Sequence, residues 1–155
     1  MPTLVSRIID CYVFRRTQAG IEFLLLKRRP AKRLGGTWQS VHGKIERGET
    51  GWQAARRELA EETGLAPIGF WQIDYVNTFY IADRDEIHLC PSFAAEVLPT
   101  ATVVLNAEHT EFRWEPFERA VESFMWPGQR HALREVMDFI IAGSAAEPHL
   151  RLPRD

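Results

Sequence analysis

The chain has 155 residues, 45% of them hydrophobic and 26% charged, and carries a formal net charge of −2. This length suits one domain with a buried core, and the charge disfavours a dedicated nucleic-acid binder, which is usually basic. The two cysteines, Cys11 and Cys90, are too few for a disulfide scaffold or a zinc knuckle, so we expect reduced thiols. No segment has the pattern of a signal peptide or a membrane span, and we therefore expect a cytoplasmic protein without a membrane partner.

The first half of the chain is predicted to start with a β-hairpin and to continue into a helix. Residues 6–14 and 21–29 are rich in apolar and β-branched residues and flank a short turn. After a loop rich in glycine and proline, Thr50 and Gln53 form a capping-box pattern that predicts a helix start. Gly64 is placed to end this helix.

The second half is predicted to supply more strands and a late helix. The predicted elements are strands at 68–82 and 86–98, a short strand at 103–105, and helices at 118–123 and 127–143. Pro91 indicates an edge position or a bulge within its strand. We expect one α+β domain at 1–143, with a mixed sheet between helices, and a loose C-terminal tail at 144–155.

Three glutamates share one face of the early helix. Glu58, Glu61 and Glu62 stand at positions i, i+3 and i+4, a spacing that is destabilising for like charges. No lysine or arginine stands four residues after any of them, and the next one along the chain is Arg84. A solvated acidic surface is the ordinary interpretation. Clustered carboxylates without a counter-charge instead favour a hard divalent cation, magnesium in particular.

The segment from Gly43 to Leu65 resembles the signature of Nudix hydrolases, Gly-x5-Glu-x7-Arg-Glu-apolar-x-Glu-Glu-x-Gly-apolar. The residues in register are Gly43, Glu49, Arg57, Glu58, Leu59, Glu61, Glu62, Gly64 and Leu65. The resemblance implies a Nudix-like α/β/α sandwich with a central mixed β-sheet. It also implies an enzyme that hydrolyses a nucleoside diphosphate linked to another group.

The same resemblance implies a metal site for Mg²⁺, with Mn²⁺ as an alternative. Glu58 and Glu62 would be metal ligands, Glu61 a further ligand or a contact to water, and the Gly43 carbonyl would complete the site. In several Nudix subfamilies a Glu-His segment after the signature also reaches the metal, and Glu108 stands in such a segment here.

The catalytic roles implied by the resemblance are an ion pair and a general base. Arg57 would pair with Glu49 and fix the loop against the helix. The base varies within the family, and the candidates here are Glu58, Glu61, Glu108 and Glu111. His109 is expected to be a structural or surface histidine rather than a ligand.

Substrate recognition is predicted from weaker similarities. Arg28 matches a phosphate-contacting arginine of related triphosphate hydrolases, although Lys27 or Arg29 could take its place. The run Trp38-Gln39-Ser-Val-x-Gly resembles the entry of enzymes that act on dihydroneopterin triphosphate and dATP. Trp38 could stack on a flat heterocycle and Gln39 could bond to its edge, or Trp38 could simply fill the edge of the core.

These observations favour a Mg²⁺-dependent pyrophosphohydrolase that converts a nucleoside or pterin triphosphate to a monophosphate and pyrophosphate. The alternatives are a hydrolase of diadenosine polyphosphate, ADP-ribose or RNA 5′ ends, and a non-catalytic nucleotide-sensing domain. An isopentenyl diphosphate isomerase is disfavoured, because neither cysteine stands in a matching motif. The expected partner is a small nucleotide-like substrate and not a nucleic acid, and a homodimer is compatible with this interpretation.

Overall fold

The computed structural model describes residues 1–153. Its strands are β1 Thr3–Val5, β2 Ile8–Thr17, β3 Gly20–Arg28, β4 Trp38–Gln39, β5 Val41–Lys44, β6 Gly69–Ile81, β7 Glu86–Glu96 and β8 His109–Pro116. Its helices are α1 Gly51–Thr63, α2 Phe117–Ser123, α3 Pro127–Glu135 and α4 Glu147–Leu150, with a 3₁₀ turn at Ala82–Arg84 and a π-helical turn at Val136–Ile141 that continues α3. None of the helices in this part of the chain is long and apolar enough to cross a membrane.

Within residues 1–153, all eight strands join in one mixed sheet. The central order is β1-β7-β2-β3-β4, and β5, β6 and β8 pair with β2, β7 and β3, respectively. Strand β7 runs parallel to β1 and β2, and the other pairs are antiparallel. One apolar cluster packs α1 on one face of the sheet, and a second packs α2 and α3 on the other. The predicted α/β/α sandwich with a mixed sheet is confirmed.

Helix α1 has the ends that the sequence predicts. The Thr50 side chain accepts a hydrogen bond from the Gln53 backbone N–H, and the Gln53 side chain bonds back to the Thr50 backbone. Gly64 ends the helix in the left-handed conformation, at φ 69°. Ala55 and Leu59 are fully buried against the sheet, and this packing fixes which helix face turns toward β5.

Two strand predictions need correction. Pro91 lies in β7, which pairs with β6 on one side and with β1 and β2 on the other, so this strand is not at an edge. A bulge does lie opposite Pro91, but its extra residues are on β6, between Gln72 and Val76, and not in the strand of Pro91 as predicted. Residues 101–106, all described, form no strand and instead run as an extended loop toward β8. The apolar residues of this loop, including Val103 and Leu105, pack on the core without pairing to the sheet.

The C-terminal segment is packed, which corrects the predicted loose tail for residues 144–153. Trp71 Nε1 donates a hydrogen bond of 2.6 Å to Glu147, and Leu150 is buried. The Leu152 N–H donates to the Phe70 carbonyl at 2.8 Å, so the segment covers part of the edge of β6. The sequence does not indicate this packing, because the contacts join residues far apart in the chain and the segment itself has no periodic apolar pattern. Residues 154–155 lie outside the described residues.

Candidate active site

Strand β5 and helix α1 bring the glycine and the glutamates of the signature together. A Cβ atom added at Gly43 would overlap the carboxylate of Glu58. Gly43 is held in register opposite Ile9 of β2, so the strand cannot easily move away. A glycine is therefore needed here for the Glu58 side chain to lie against the strand.

Arg57 and Glu49 form the ion pair that the sequence predicts. Arg57 Nε lies 2.9 Å from Glu49 Oε1, and Arg57 Nη2 lies 3.0 Å from Glu49 Oε2, which makes the pair bidentate. Arg57 Nη2 also donates to the Lys44 carbonyl at 2.8 Å. The hydrogen bond from Arg57 lowers the pKa of the Glu49 carboxyl. The pair joins the end of β5, the following loop and α1.

The same arginine corrects the expectation that the helix glutamates lack a counter-charge. Arg57 Nη1 lies 2.9 Å from Glu58 Oε1 and 3.2 Å from Glu61 Oε2. Arg57 precedes Glu61 by one helical turn, so the counter-charge stands before the glutamates in the chain and not after them. Burial still raises the pKa of Glu58, although Arg57 opposes this effect. Glu58 and Glu61 are thus partly neutralised, and Glu62 is not.

Glu62 is the most unusual carboxyl group of the helix. The residue is 1% exposed, and within residues 1–153 its Oε2 atom has no hydrogen-bond partner. Burial raises the pKa of Glu62 to about 9, with further contributions from the charges of Glu58 and Glu108. A buried carboxylate without a partner is costly, and either a proton or a cation relieves that cost.

We use the name carboxylate site for Gly43, Glu58, Glu61 and Glu62 of the signature segment together with Glu108 and His109. Among them, Glu62, Glu108 and His109 form a cluster that could hold a metal ion. One ligand atom from each residue lies within 4.8 Å of the others. Both ring nitrogens of His109 are buried and without a partner in the described part of the chain. Burial lowers the pKa of His109, which favours the neutral imidazole that coordinates metals. Carboxylates suit Mg²⁺ and Mn²⁺, so these residues fit the metal that the sequence predicts.

The positions of Glu108, His109 and Glu111 differ in part from those that the sequence predicts. Glu108 lies in the cluster as a candidate ligand, and His109, which we expected to be structural, lies there too. Glu111 lies on the exposed part of β8 and pairs with Lys27 at 2.7 Å. Glu111 is therefore a weaker candidate for the general base than Glu58, Glu61 or Glu108.

A cavity of about 690 Å³ lies next to these residues. The wall includes Arg28, Trp38, Gln39 and His42, and His42 directly precedes Gly43 in β5. This volume is within the usual range of about 300–1,000 Å³ for small-molecule sites. The cavity therefore brings the three predicted substrate-binding residues together on one wall.

Of the three basic residues considered at the end of β3, Arg28 is the one available to a ligand. Lys27 is paired with Glu111, and Arg29 Nε donates to the Ala107 carbonyl at 2.6 Å. Arg28 lines the cavity, and its Nε atom is buried without a partner in residues 1–153.

Both interpretations of Trp38 describe part of what the structure shows. The indole lines the cavity, but it also packs against the core cluster on the α3 side of the sheet. The Arg113 guanidinium lies 4.4 Å from the centre of the indole ring, within the range of a cation–π contact. The ring is thus held in place while it forms part of the wall.

Several cavity residues were not identified from the sequence. His42 Nδ1 lies 2.7 Å from Asp10 Oδ1, and Asp10 is only 3% exposed. Burial alone would lower the pKa of His42, but the bond to Asp10 and its charge raise it overall. Asn77 and Phe79 also line the cavity and alternate along β6. Their period of two was the sequence signal that could have placed them on one face.

Comparison with known proteins identifies the family. The sequence model of the NUDIX domain matches residues 6–136. The chain belongs to the NUDIX family.

A Nudix hydrolase of Bacillus subtilis, described as uncharacterized, is 30% identical over 144 residues, which cover 91% of this chain and 82% of that protein. The crystal structure of a Caenorhabditis elegans Ap4A hydrolase binary complex matches with a TM-score of 0.74 and 25% identity, over 90% of this chain and 99% of that one. These relationships make the protein a Nudix hydrolase.

One further relative contains this domain within a longer protein. An octanoyltransferase of Myxococcus xanthus is 39% identical over 113 residues, which are 72% of this chain but 31% of that protein. The chain thus spans about a third of that relative's length. The similarity relates the Nudix-like portion of the two proteins.

Proposed function

We propose that this Nudix hydrolase is a Mg²⁺-dependent pyrophosphohydrolase that cleaves a nucleoside or pterin triphosphate to a monophosphate and pyrophosphate. The observation that carries the proposal is the buried carboxyl group of Glu62 beside Glu108 and His109, with its Oε2 atom unpartnered within residues 1–153. A cavity wide enough for a flat heterocycle lies next to this cluster and contains a free arginine edge. The buried thiols of Cys11 and Cys90 support a cytoplasmic location.

In this proposal Glu58, Glu62, Glu108 and the Gly43 carbonyl would hold the metal through oxygen atoms, and the neutral ring of His109 would lie beside it. A magnesium ion held there would supply Lewis acidity, which neutralises charge on phosphate oxygens and lowers the pKa of a bound water. Glutamate carboxylates that remain outside the metal's coordination sphere are available as the general base.

The base candidates differ in their surroundings. The Glu61 side chain is 56% exposed and contacts Arg57, whereas the Glu58 side chain is 13% exposed and has a raised pKa. Because Glu58 is a metal ligand in this proposal, Glu61 is the helix glutamate left to act as the general base. Arg57 and Glu49 act as positioning residues, because they fix the loop and the helix that carry the ligands.

The remaining substrate contacts are proposed from the cavity wall. Arg28 would hold the terminal phosphates, because its buried Nε has no other partner in the described chain. Trp38 would face the heterocycle and Gln39 would bond to its edge, as both line the cavity.

Hydrolysis of a diadenosine polyphosphate is a second candidate. It is favoured by the similarity to the Ap4A hydrolase structure, of which this chain covers 99%. The sequence opposes it, because Val41-His42-Gly43 replaces the proline and paired glycines expected after Trp-Gln in such enzymes.

A product assay decides between the candidates. The protein is incubated with Mg²⁺ and, separately, with dATP, dGTP, dihydroneopterin triphosphate and Ap4A, and the products are separated by anion exchange. The proposal expects pyrophosphate and a monophosphate from at least one triphosphate, and no release when EDTA is present. Turnover of Ap4A alone would favour the second candidate, and binding without turnover would indicate a sensing domain.

A further inference from the structure

A buried amide lies in the cavity wall, away from the metal-binding residues. Asn77 is 9% exposed on β6 and lines the cavity. A side-chain amide has two donor hydrogens and an acceptor oxygen, so it can form hydrogen bonds in both directions. A ligand in the cavity can supply those bonds.

Helix α3 limits the positions that this amide can take. A Cβ atom added at Gly128 would overlap the Oδ1, Cγ and Nδ2 atoms of Asn77. Gly128 follows Pro127, the first residue of the helix. The absence of a side chain at Gly128 therefore leaves room for the amide, and the helix start holds it from one side.

The neighbouring side chains suit a flat ring. The rings of Phe79 and His88 stack with 5.2 Å between their centroids and an interplanar angle of 14°, and both residues line the cavity. Trp126 is 50% exposed and lines the cavity beside Gly128. Aromatic faces bind flat heterocycles by stacking without regard to their edges.

We propose that Asn77 is a specificity-determining residue, which selects heterocycles that present a hydrogen-bond donor next to an acceptor. An asparagine amide makes such a paired contact with adenine, and it can turn to match the lactam edge of guanine or a pterin. This inference rests on the proposed function. It adds a residue on β6 to the recognition by Trp38 and Gln39, which lie on β4.

The test compares substrates that carry the same triphosphate but different ring edges. ATP is compared with purine riboside triphosphate, which lacks the exocyclic amine, and dGTP and dihydroneopterin triphosphate are the lactam arms. The proteins are wild type, Asn77→Leu, Gly128→Ala and the control Gln72→Leu, an amide on the same strand outside this cavity. Thermal denaturation checks that each variant is folded.

For the preferred ring, Asn77→Leu is expected to lower kcat/KM about 10- to 100-fold, the usual range for loss of a paired base contact. Asn77→Leu should lower kcat/KM for purine riboside triphosphate much less. Gln72→Leu should leave kcat/KM for both substrates unchanged. Gly128→Ala should also lower kcat/KM for the preferred ring, because its methyl group displaces the Asn77 amide. In an Asn77→Ala background, Gly128→Ala should cause no further loss of kcat/KM, because the two residues act through one contact.

Three outcomes separate the claims. A loss confined to substrates with the paired edge supports the role of Asn77, and the arm that loses most identifies purine or pterin. If wild type is active but Asn77→Leu and Gly128→Ala leave the ratios between substrates unchanged, the inference is wrong and the proposed function stands. If wild type cleaves no triphosphate, the proposed function fails and the inference fails with it.

Discussion

The carboxylate site and the cavity are built in opposite ways. Most of the carboxylate site comes from one continuous segment, 43–65, with a short addition at 108–109. The cavity wall comes from the strands β2 to β7, the loop before β4 and the residues at the start of α3. Chemistry that depends on residues one helical turn apart is visible in a sequence, whereas recognition that depends on strand pairing becomes visible only in the fold.

The largest effect is expected when a charge is removed from the carboxylate site, and this change tests whether that site carries out the reaction while the cavity binds the substrate. Glu58→Gln and Glu62→Gln should each lower kcat by a few powers of ten, about 3–5 kcal/mol of transition-state stabilisation, because a neutral amide replaces an anionic ligand. The loss should be similar for every triphosphate tested, since these residues do not line the cavity.

The matched control is Glu46→Gln, an exposed glutamate of the loop before α1. Steady-state kinetics at saturating Mg²⁺, with circular dichroism to confirm folding, measures the effect. Near wild-type turnover in either folded variant would show that the carboxylate site does not carry the reaction.

A smaller loss is expected when the shape of the carboxylate site changes but its charge does not. In Gly43→Ala the new methyl group overlaps the Glu58 carboxylate, and a displacement of about 1 Å can cost about 100-fold in rate. Gly51→Ala is the control, because its added Cβ meets only ordinary contacts of 3.6 Å or more. Equal activity in the two variants would mean that the close approach of Gly43 and Glu58 is unimportant.

A change in the cavity should affect binding rather than chemistry. Trp38→Ala is expected to raise KM for the heterocyclic substrate by a factor equivalent to roughly 1–3 kcal/mol of binding free energy, with less effect on kcat. Because Trp38 also packs on the core, the melting temperature should fall as well. A lower melting temperature with an unchanged KM would leave Trp38 with only a structural role.

The smallest effect is on the stability of the metal-free protein. The pKa of Glu62 in the folded chain is about 9, above its ordinary value of 4.5. The folded state therefore keeps a proton that the unfolded chain releases, and the free energy of unfolding should fall as pH rises from about 4.5 to about 9. Glu62→Gln should flatten this slope and, at pH 8 in EDTA, melt above wild type, by about 2–4 °C for each kcal/mol of stability regained.

Thermal denaturation in EDTA at several pH values measures this slope. Addition of Mg²⁺ should stabilise wild type at pH 8 more than Glu62→Gln, because the cation replaces the proton on Glu62. Identical pH profiles for the two proteins would mean that Glu62 is not the buried acid that limits stability.

The sequence was sufficient for the ends of α1, because a capping box and a terminal glycine are local patterns. The α/β/α sandwich and the Arg57–Glu49 pair were implied by the resemblance of segment 43–65 to the Nudix signature. The sequence was insufficient for His109, whose ring becomes a candidate ligand only because β8 pairs with β3 and turns it toward Glu62. It also missed the packing of residues 144–153, which depends on contacts to Trp71 and Phe70 far along the chain. The contact of Arg57 with Glu61 was local, and it was missed because only residues after each glutamate were considered.

The central claim is that the carboxylate site activates water against the triphosphate of a substrate held in the cavity. Hydrolysis of the preferred triphosphate in oxygen-18 water, with Mg²⁺ and analysed by mass spectrometry, tests it most directly. We predict one labelled oxygen in the monophosphate, unlabelled pyrophosphate, and no product in EDTA. Label in the pyrophosphate would place the attack at the β-phosphorus, and orthophosphate as the first product, or turnover without a metal ion, would contradict the account.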